Sequence, residues 1–309
     1  MNVVVHMGLH KTATTTLQRR VFPVLPGLNF IDSAQSPAAG IIYAFQVQDP
    51  IYFDSSHARV VLQSVFSADK VNLISSESFS GSLYSAVGKR DLDHRHSIIE
   101  NLQRTLPEAK IMLVLRRQDH YARSVYRQYI KRGGVLDPAS FFGVNGRDGA
   151  YFPRDRFRYL EYVRVLKKRF PAGVHVGIFE EFAESPSSFL EIMCRFLGLT
   201  PIENWELRNV NRSRLGSMGL EVSRILNRLF RSPLNPGGVL PGIPRPRRTG
   251  EWWSVSPVLM LQDHWPGTGS VAAGSRLGRV CAELLAGEAA RNKLLQDELN
   301  LDLKRYGYL

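Results

Sequence analysis

Lys110-Ile111-Met112-Leu113-Val114-Leu115 runs straight into Arg116. A strand with one wet face alternates apolar and polar residues. Here five apolar residues follow one another without a break, the pattern of a parallel strand covered on both faces. Shorter runs at 2–6, 71–75 and 174–179 read as further strands, and helical patterns are expected over 14–22, 56–66, 92–106, 119–132, 156–170 and 185–197. In the stretch 119–132, Ala122, Val125, Tyr126, Tyr129 and Ile130 recur at helical spacing, which gives one buried face. Asp119 is placed to cap that helix.

Alternating strands and helices imply an α/β fold of three layers, with a central parallel sheet and right-handed crossovers. There is no internal repeat. After Asn211 the pattern changes to a helix around 219–230 and then PLNPGGVLPGIPRPRRTGEWW, rich in Pro, Gly and Arg. The expectation is a single domain over 1–309, with a loop or lid at 231–266 and a final helix over 276–295.

Forty Lys and Arg against 28 Asp and Glu give a formal charge of +12 over 309 residues. That excess favours an anionic partner. Cys194 and Cys281 alone make neither a disulfide framework nor a zinc site, and their apolar helical settings read as buried thiols. No run approaches the roughly 20 apolar residues of a membrane span, so a cytoplasmic protein without a transmembrane segment is the default expectation.

The first strand leads into His6-Met7-Gly8-Leu9-His10-Lys11-Thr12-Ala13-Thr14-Thr15-Thr16. Ligands of such sheets sit at the carboxyl ends of the strands. A strand, a tight turn and a helix start aim free backbone N–H groups and a helix dipole at that position, a setting for phosphate. Lys11 adds a point charge, and Thr12, Thr14, Thr15 and Thr16 add hydroxyl donors. A capped helix start beside a solvated lysine is the plainer alternative. The spacing from Gly8 to Lys11 is too short for a Walker A arch, and no G-x-G-x-x-G is present.

This stretch resembles the 5′-phosphosulfate loop of sulfotransferases that use 3′-phosphoadenosine 5′-phosphosulfate (PAPS), the bacterial and carbohydrate members above all. Lys11, Thr12, Ala13, Thr14 and Thr15 occupy the loop's places, with Ala13 where the family carries glycine and Thr16 where cytosolic members carry an aromatic residue. The family's 3′-phosphate site pairs an Arg just after a strand with a Ser eight positions on, and Arg116 and Ser124 match it. Two later stretches, FEEFAESPSSFLEIMCRFLGLTP and NKLLQDELNLDLKRYGYL, extend the likeness.

The resemblance implies a P-loop-NTPase-like sulfotransferase fold. It implies PAPS as donor and adenosine 3′,5′-bisphosphate (PAP) as product, with no metal. The acceptor is a small-molecule, glycan or lipid hydroxyl, and nucleic acid is not a partner. Gly8, Lys11, Thr12, Ala13, Thr14, Thr15 and Thr16, with Arg116 and Ser124, would bind the donor, and Lys11 would meet the leaving group.

For the acceptor's proton the resemblance points to Glu77, which follows the third apolar run, with His10 as competitor. His6 reads as a packed core residue. Arg247 and Arg248, with Arg245, could close over the donor, Asn211-Arg212-Ser213 could approach the nucleotide, and Trp252, Trp253, Trp265, Tyr151 and Phe152 could line an acceptor cleft. Two rivals stand beside this reading: a small-molecule kinase with an unusual loop, and a non-catalytic polyanion binder explained by the charge.

Overall fold

A computed structural model describes residues 2–33, 36–81, 94–144, 150–202, 216–246, 252–255 and 271–309, with the side chains of 245–246 and 252–255 left aside. Within these residues five strands form one parallel sheet in the order β2-β3-β1-β4-β5: β1 Val3–Gly8, β2 Leu28–Asp32, β3 Val71–Ser76, β4 Lys110–Leu115 and β5 Val174–Ile178. The continuous apolar run thus lies in a strand covered on both faces, as its composition demands.

β2 went unseen in the sequence. It is a short edge strand, Leu28-Asn29-Phe30-Ile31-Asp32, buried only at Leu28 and Ile31 and bounded by turn-forming residues.

Side-chain alternation splits the core into two layers. Val5, Met7, Ile74, Ile111 and Leu113 face one layer. It also takes in α2 (Ala39–Val47), α3 (Ser55–Gln63), α4 (Arg95–Thr105) and α5 (Gln118–Lys131), through residues such as Phe45, Leu62, Leu102 and Val125. Val4, Leu73, Met112 and Val114 face the other, with Leu17, Val21 and Phe22 and the helix Pro186–Leu197. Cys194 and Cys281 are buried and unpaired, and burial pushes their thiols up to about 11 and about 12.

Several boundaries differ from the sequence expectation, each for a local reason. The first helix is one α turn, α1 (Thr14–Thr16), that widens into a π-type turn over Leu17–Val21. α5 begins at Gln118, so Asp119 lies inside it and is not its cap; Glu180 accepts the Arg117 backbone N–H instead, at 3.2 and 3.3 Å. The helix expected over 276–295 is broken into Arg276–Leu284 and Glu288–Leu299 by Gly287 at φ 86. Within the segment read as a lid, Ile243–Pro246 pairs antiparallel with Trp252–Val255.

The C-terminal segment returns to the sheet. Asn292 and Gln118 exchange amide hydrogen bonds at 2.8 and 3.1 Å, Asn292 also donates to the Tyr308 carbonyl, and the Tyr308 hydroxyl donates to Glu180 at 3.0 Å. These bonds brace the junction between β4 and α5.

Gly8 closes β1 where the chain must turn tightly. A Cβ there would lie 2.7 Å from Thr14 Oγ1 and 2.8 Å from its Cγ2, and Thr14 is buried and β-branched. Gly8→Ala is therefore expected to destabilise the fold by about 1–3 kcal/mol through overpacking, read as a lower urea midpoint with an unchanged slope.

Candidate functional site

β3 and β4 flank β1 in the sheet, and β1 is followed by β2 on one side and later elements on the other. Such reversals of strand order leave a crevice at the carboxyl end of the central strand. The loop 9–13 fills the floor of that crevice. Two of its residues are left-handed without being glycine, Lys11 at φ 69 and Ala13 at φ 61. Ala13 thus adopts the conformation a glycine would take, at a cost of roughly 1–2 kcal/mol.

The threonines divide into two pairs. Thr12 and Thr14 are buried, and both donate their hydroxyls to the Leu9 carbonyl, at 2.5 and 3.3 Å. In this structure both hydroxyls are spent on shaping the loop. Thr15 is exposed and Thr16 partly so. The backbone N–H groups of Thr16 and Leu17 turn inward to the Ala13 carbonyl at 2.8 and 3.0 Å.

Arg116 reaches this loop. Its Nη1 donates to the Lys11 carbonyl at 2.8 Å, and its guanidinium stacks 4.5 Å over the Phe179 ring. Its own carbonyl accepts from the Tyr159 hydroxyl at 2.7 Å. Arg116 makes no ion pair with nearby Asp119, which takes Arg117 at 2.6 Å and Arg123 at 3.4 Å. Among the described residues Arg116 has no carboxylate partner, and its Nε is buried without a hydrogen-bond acceptor. Burial lowers its pKa, against a pull from Glu180. A half-buried guanidinium with one buried N–H lacking an acceptor has capacity left for an anion.

Lys11 donates to Gln128 Oε1 at 3.0 Å, so α5 packs on the loop. Ser124 lies one helical turn before Gln128, on the same face of α5. Burial lowers the Lys11 pKa; Glu77 opposes this, while Lys131, Arg132 and Arg116 add to it. Arg127 is likewise lowered by burial and then by Arg116 and Arg123. The cationic cluster is therefore larger than the sequence motif. Arg123, Arg127 and Lys131 recur every four residues along α5, a spacing visible in the sequence but not weighed in reading it.

On the other side of the loop, Glu77 opens the turn after β3. His10 Nδ1 meets Glu77 Oε2 at 3.3 Å, and His10 Nε2 meets the Gly81 carbonyl at 3.1 Å. A carbonyl only accepts, so the contact with Gly81 places a proton on Nε2. Burial pushes the Glu77 carboxyl up, but the hydrogen bond and charge of His10, with Lys11 and His6, outweigh it and leave the pKa lowered. Ser80 Oγ donates to the Gly8 carbonyl at 2.8 Å, tying this turn to the loop.

His6 is fully buried beneath, as expected. Its Nδ1 lies 2.7 Å from Ser75 Oγ, its ring meets Phe22 edge-on, and burial lowers its pKa to about 4.

A cleft of about 780 Å³ opens beside Glu77, with Thr15, Gln18, Asn29, Asp32 and Ser78 in its walls. Two of the aromatic residues expected to line an acceptor site are packed elsewhere: Phe152 is buried among Tyr121, Phe141 and Phe157, and Tyr151 packs on Tyr129 and Phe141. Arg247, Arg248, Asn211, Arg212, Ser213 and Trp265 lie outside the described residues, as do the side chains of Arg245, Trp252 and Trp253. No helix among the described residues is long and apolar enough to cross a membrane.

The depressed Glu77 carboxyl gives a sign to acid behaviour. A lowered folded-state pKa contributes stability above the unfolded carboxylate value, about 4.3, and loses it as pH falls through the folded value. Glu77→Gln is expected to flatten the fall of melting temperature on acidification below about pH 5, measured against wild type across the acid range.

No protein family model and no curated protein matches the chain. Among solved structures it is similar to a sulfotransferase from Alicyclobacillus acidocaldarius, at 17% identity and a TM-score of 0.47, over 67% of this chain and 87% of that one. It is also similar to the sulfotransferase domain from the Curacin biosynthetic pathway, at 11% identity and a TM-score of 0.37, over 92% and 97%. A mouse sulfotransferase complexed with PAP matches at 13% identity and a TM-score of 0.34, over 65% and 59%. With likeness this faint, the chemistry has to come from the pocket's own side chains.

Proposed function

We propose that the protein is a sulfotransferase that moves a sulfuryl group from PAPS to a hydroxyl acceptor. The observation that carries this reading is the Arg116 guanidinium on the Lys11 carbonyl at 2.8 Å, which joins both anion-binding motifs in one crevice. A ligand with a phosphate at each end of an adenosine fits two such cationic ends. A kinase has no use for the second, since ATP carries nothing at the 3′ position.

The residues present fit the donor in charge and in hydrogen-bonding capacity. Arg116 offers a buried, unused N–H, and Ser124 adds a hydroxyl from α5. Lys11 is held by one neutral acceptor, Gln128, which it can exchange for an anion. The donor supplies an electron-poor sulfuryl group. In the transfer its bond to the bridging phosphate oxygen breaks as the bond to the acceptor oxygen forms. Lys11 neutralises charge growing on the bridging oxygen, a role whose removal typically costs about 10²–10³ in rate. Glu77, ionised at neutral pH, takes the acceptor's proton. His10 holds it in place, with both imidazole nitrogens already in contact with protein atoms, Glu77 and the Gly81 carbonyl.

Two measurements test this. PAP without metal is expected to raise the melting temperature well beyond any effect of ATP with magnesium; the reverse order rejects the donor. Ser124→Ala, which leaves the Arg116–Lys11 bond in place, should weaken PAP severalfold while leaving adenosine 5′-monophosphate nearly unchanged, and equal losses reject its pairing with the 3′ group.

Lys11→Ala is expected to lower kcat by on the order of 10²-fold or more, with PAP binding reduced much less. Turnover at the wild-type rate would remove Lys11 from the chemistry.

A further inference from the structure

The helix Ser217–Asn227 turns most of its apolar residues to solvent, the reverse of what a surface helix does. Its inner face carries Leu220, Ser223, Arg224 and Asn227, all buried. Asn227 Nδ2 fastens that face to the end of α5 by donating to the Ile130 and Gly134 carbonyls at 2.8 and 3.0 Å. The outer face carries Met218, Val222 and Ile225, continued by Leu229, at steps of four, three and four residues. All four are exposed, Met218 by 73% and Ile225 by 54%.

The loop after the helix extends this stripe and is tightly held. Asn235 Nδ2 donates to the carbonyls of Asn227, Arg228 and Phe230 at 2.9, 3.2 and 3.1 Å. The Leu240 N–H donates to the Leu229 carbonyl at 2.7 Å. Gly238 lies so close to Phe230 that a Cβ would fall 2.3 Å from its carbonyl carbon. This fastened loop still leaves Leu240, next to Leu229, and Val239 exposed, the latter by 75%. An outward-facing patch of this kind marks a docking surface.

The charge around the patch has one sign. Between 216 and 243 Glu221 is the one carboxylate, against Arg224, Arg228 and Arg231. Arg224 takes Glu221 at 2.8 Å, and Asp137, three residues beyond Gly134, is taken by Arg276 at 3.2 Å. Arg228 and Arg231 are exposed at the end of the stripe. Arg132 is exposed close by, since the Ser232 hydroxyl donates to the neighbouring Gly133 carbonyl at 3.3 Å.

We infer that the helix Ser217–Asn227 and the loop 228–240 form a docking surface for an anionic lipid bilayer. Aliphatic side chains flanked by arginines suit the boundary of such a bilayer, where the first enter the hydrocarbon and the second stay with the phosphates. A second copy of this chain fits less well. It would bring the same arginines, and its one carboxylate in this region is already spent on Arg224. None of the six apolar side chains is aromatic, whereas the anchors of protein interfaces are enriched in Trp and Tyr. The inference goes beyond the transferase reading and does not depend on it.

The test is sedimentation of the whole protein with vesicles of phosphatidylcholine alone, or of phosphatidylcholine with one third phosphatidylglycerol. Met218→Ser with Ile225→Ser strips the stripe without changing the charge, and Arg228→Glu reverses one flanking cation. These side chains are exposed, so both variants should melt with the wild type. The wild type is expected to bind the anionic vesicles at least tenfold more tightly than the neutral ones, and added salt should weaken that binding. The double serine variant should lose at least fivefold on the anionic vesicles and Arg228→Glu at least threefold.

No binding to either vesicle overturns the inference, and so does equal binding to both. Anionic vesicles bound equally by wild type and double serine variant overturn it too, since the net charge alone would then explain the attraction. A dimer in analytical ultracentrifugation that the double serine variant dissolves, in a protein that ignores vesicles, gives the surface to a second copy instead.

Discussion

The hydrogen bond from Arg116 to the Lys11 carbonyl is the constraint on which the rest of the site depends. It exists because β1 and β4 are neighbours, with Gly8 opposite Val114, so the turn leaving one strand meets the residue leaving the other. Lys11 must be left-handed in the arrangement observed, and so must Ala13. Such strain persists only when the surroundings over-determine it. Here they do: two threonine hydroxyls hold the Leu9 carbonyl, Ser80 holds that of Gly8, and Arg116 holds that of Lys11. Arg116 is itself fixed by Tyr159 behind and Phe179 below.

A single loop separates two electrostatic regimes. Toward α5 the neighbours of Lys11 are Arg116, Lys131 and Arg132; toward β3 they are Glu77 and its histidine. The overall charge of +12 says nothing of this division. Asp119 takes Arg117 and Arg123, and Glu180 takes the Arg117 backbone N–H, so that among the described residues Arg116 makes no salt bridge. Paired charges next to the site are thus what keep one charge in it unpaired.

Much of this was legible in the residues. An unbroken apolar run announces a strand buried on both faces, and β1, β3, β4 and β5 follow from it within a few residues. The loop and the Arg116–Ser124 spacing are also plain, because each is local. What escaped was anything decided at a distance. Nothing in Thr12 or Thr14 says that their hydroxyls turn inward to Leu9, since that depends on a loop path set by Arg116. β2 hid because an edge strand needs little apolar surface. Tyr151 and Phe152 read as cleft aromatics, and only the packing of Phe141 and Phe157 makes them core. The break at Gly287 hid because the apolar pattern runs on through it.

His6 offers a different use of the same architecture. Its ring is sealed under the loop, remains uncharged through the physiological range, and is linked by Ser75 Oγ to Gln18. Solvent cannot reach it, so titration will not blur its resonances. An isotope label on that single imidazole would act as a silent spectroscopic gauge, whose nitrogen shifts register any displacement of the overlying turn while the pH is varied across the neutral range.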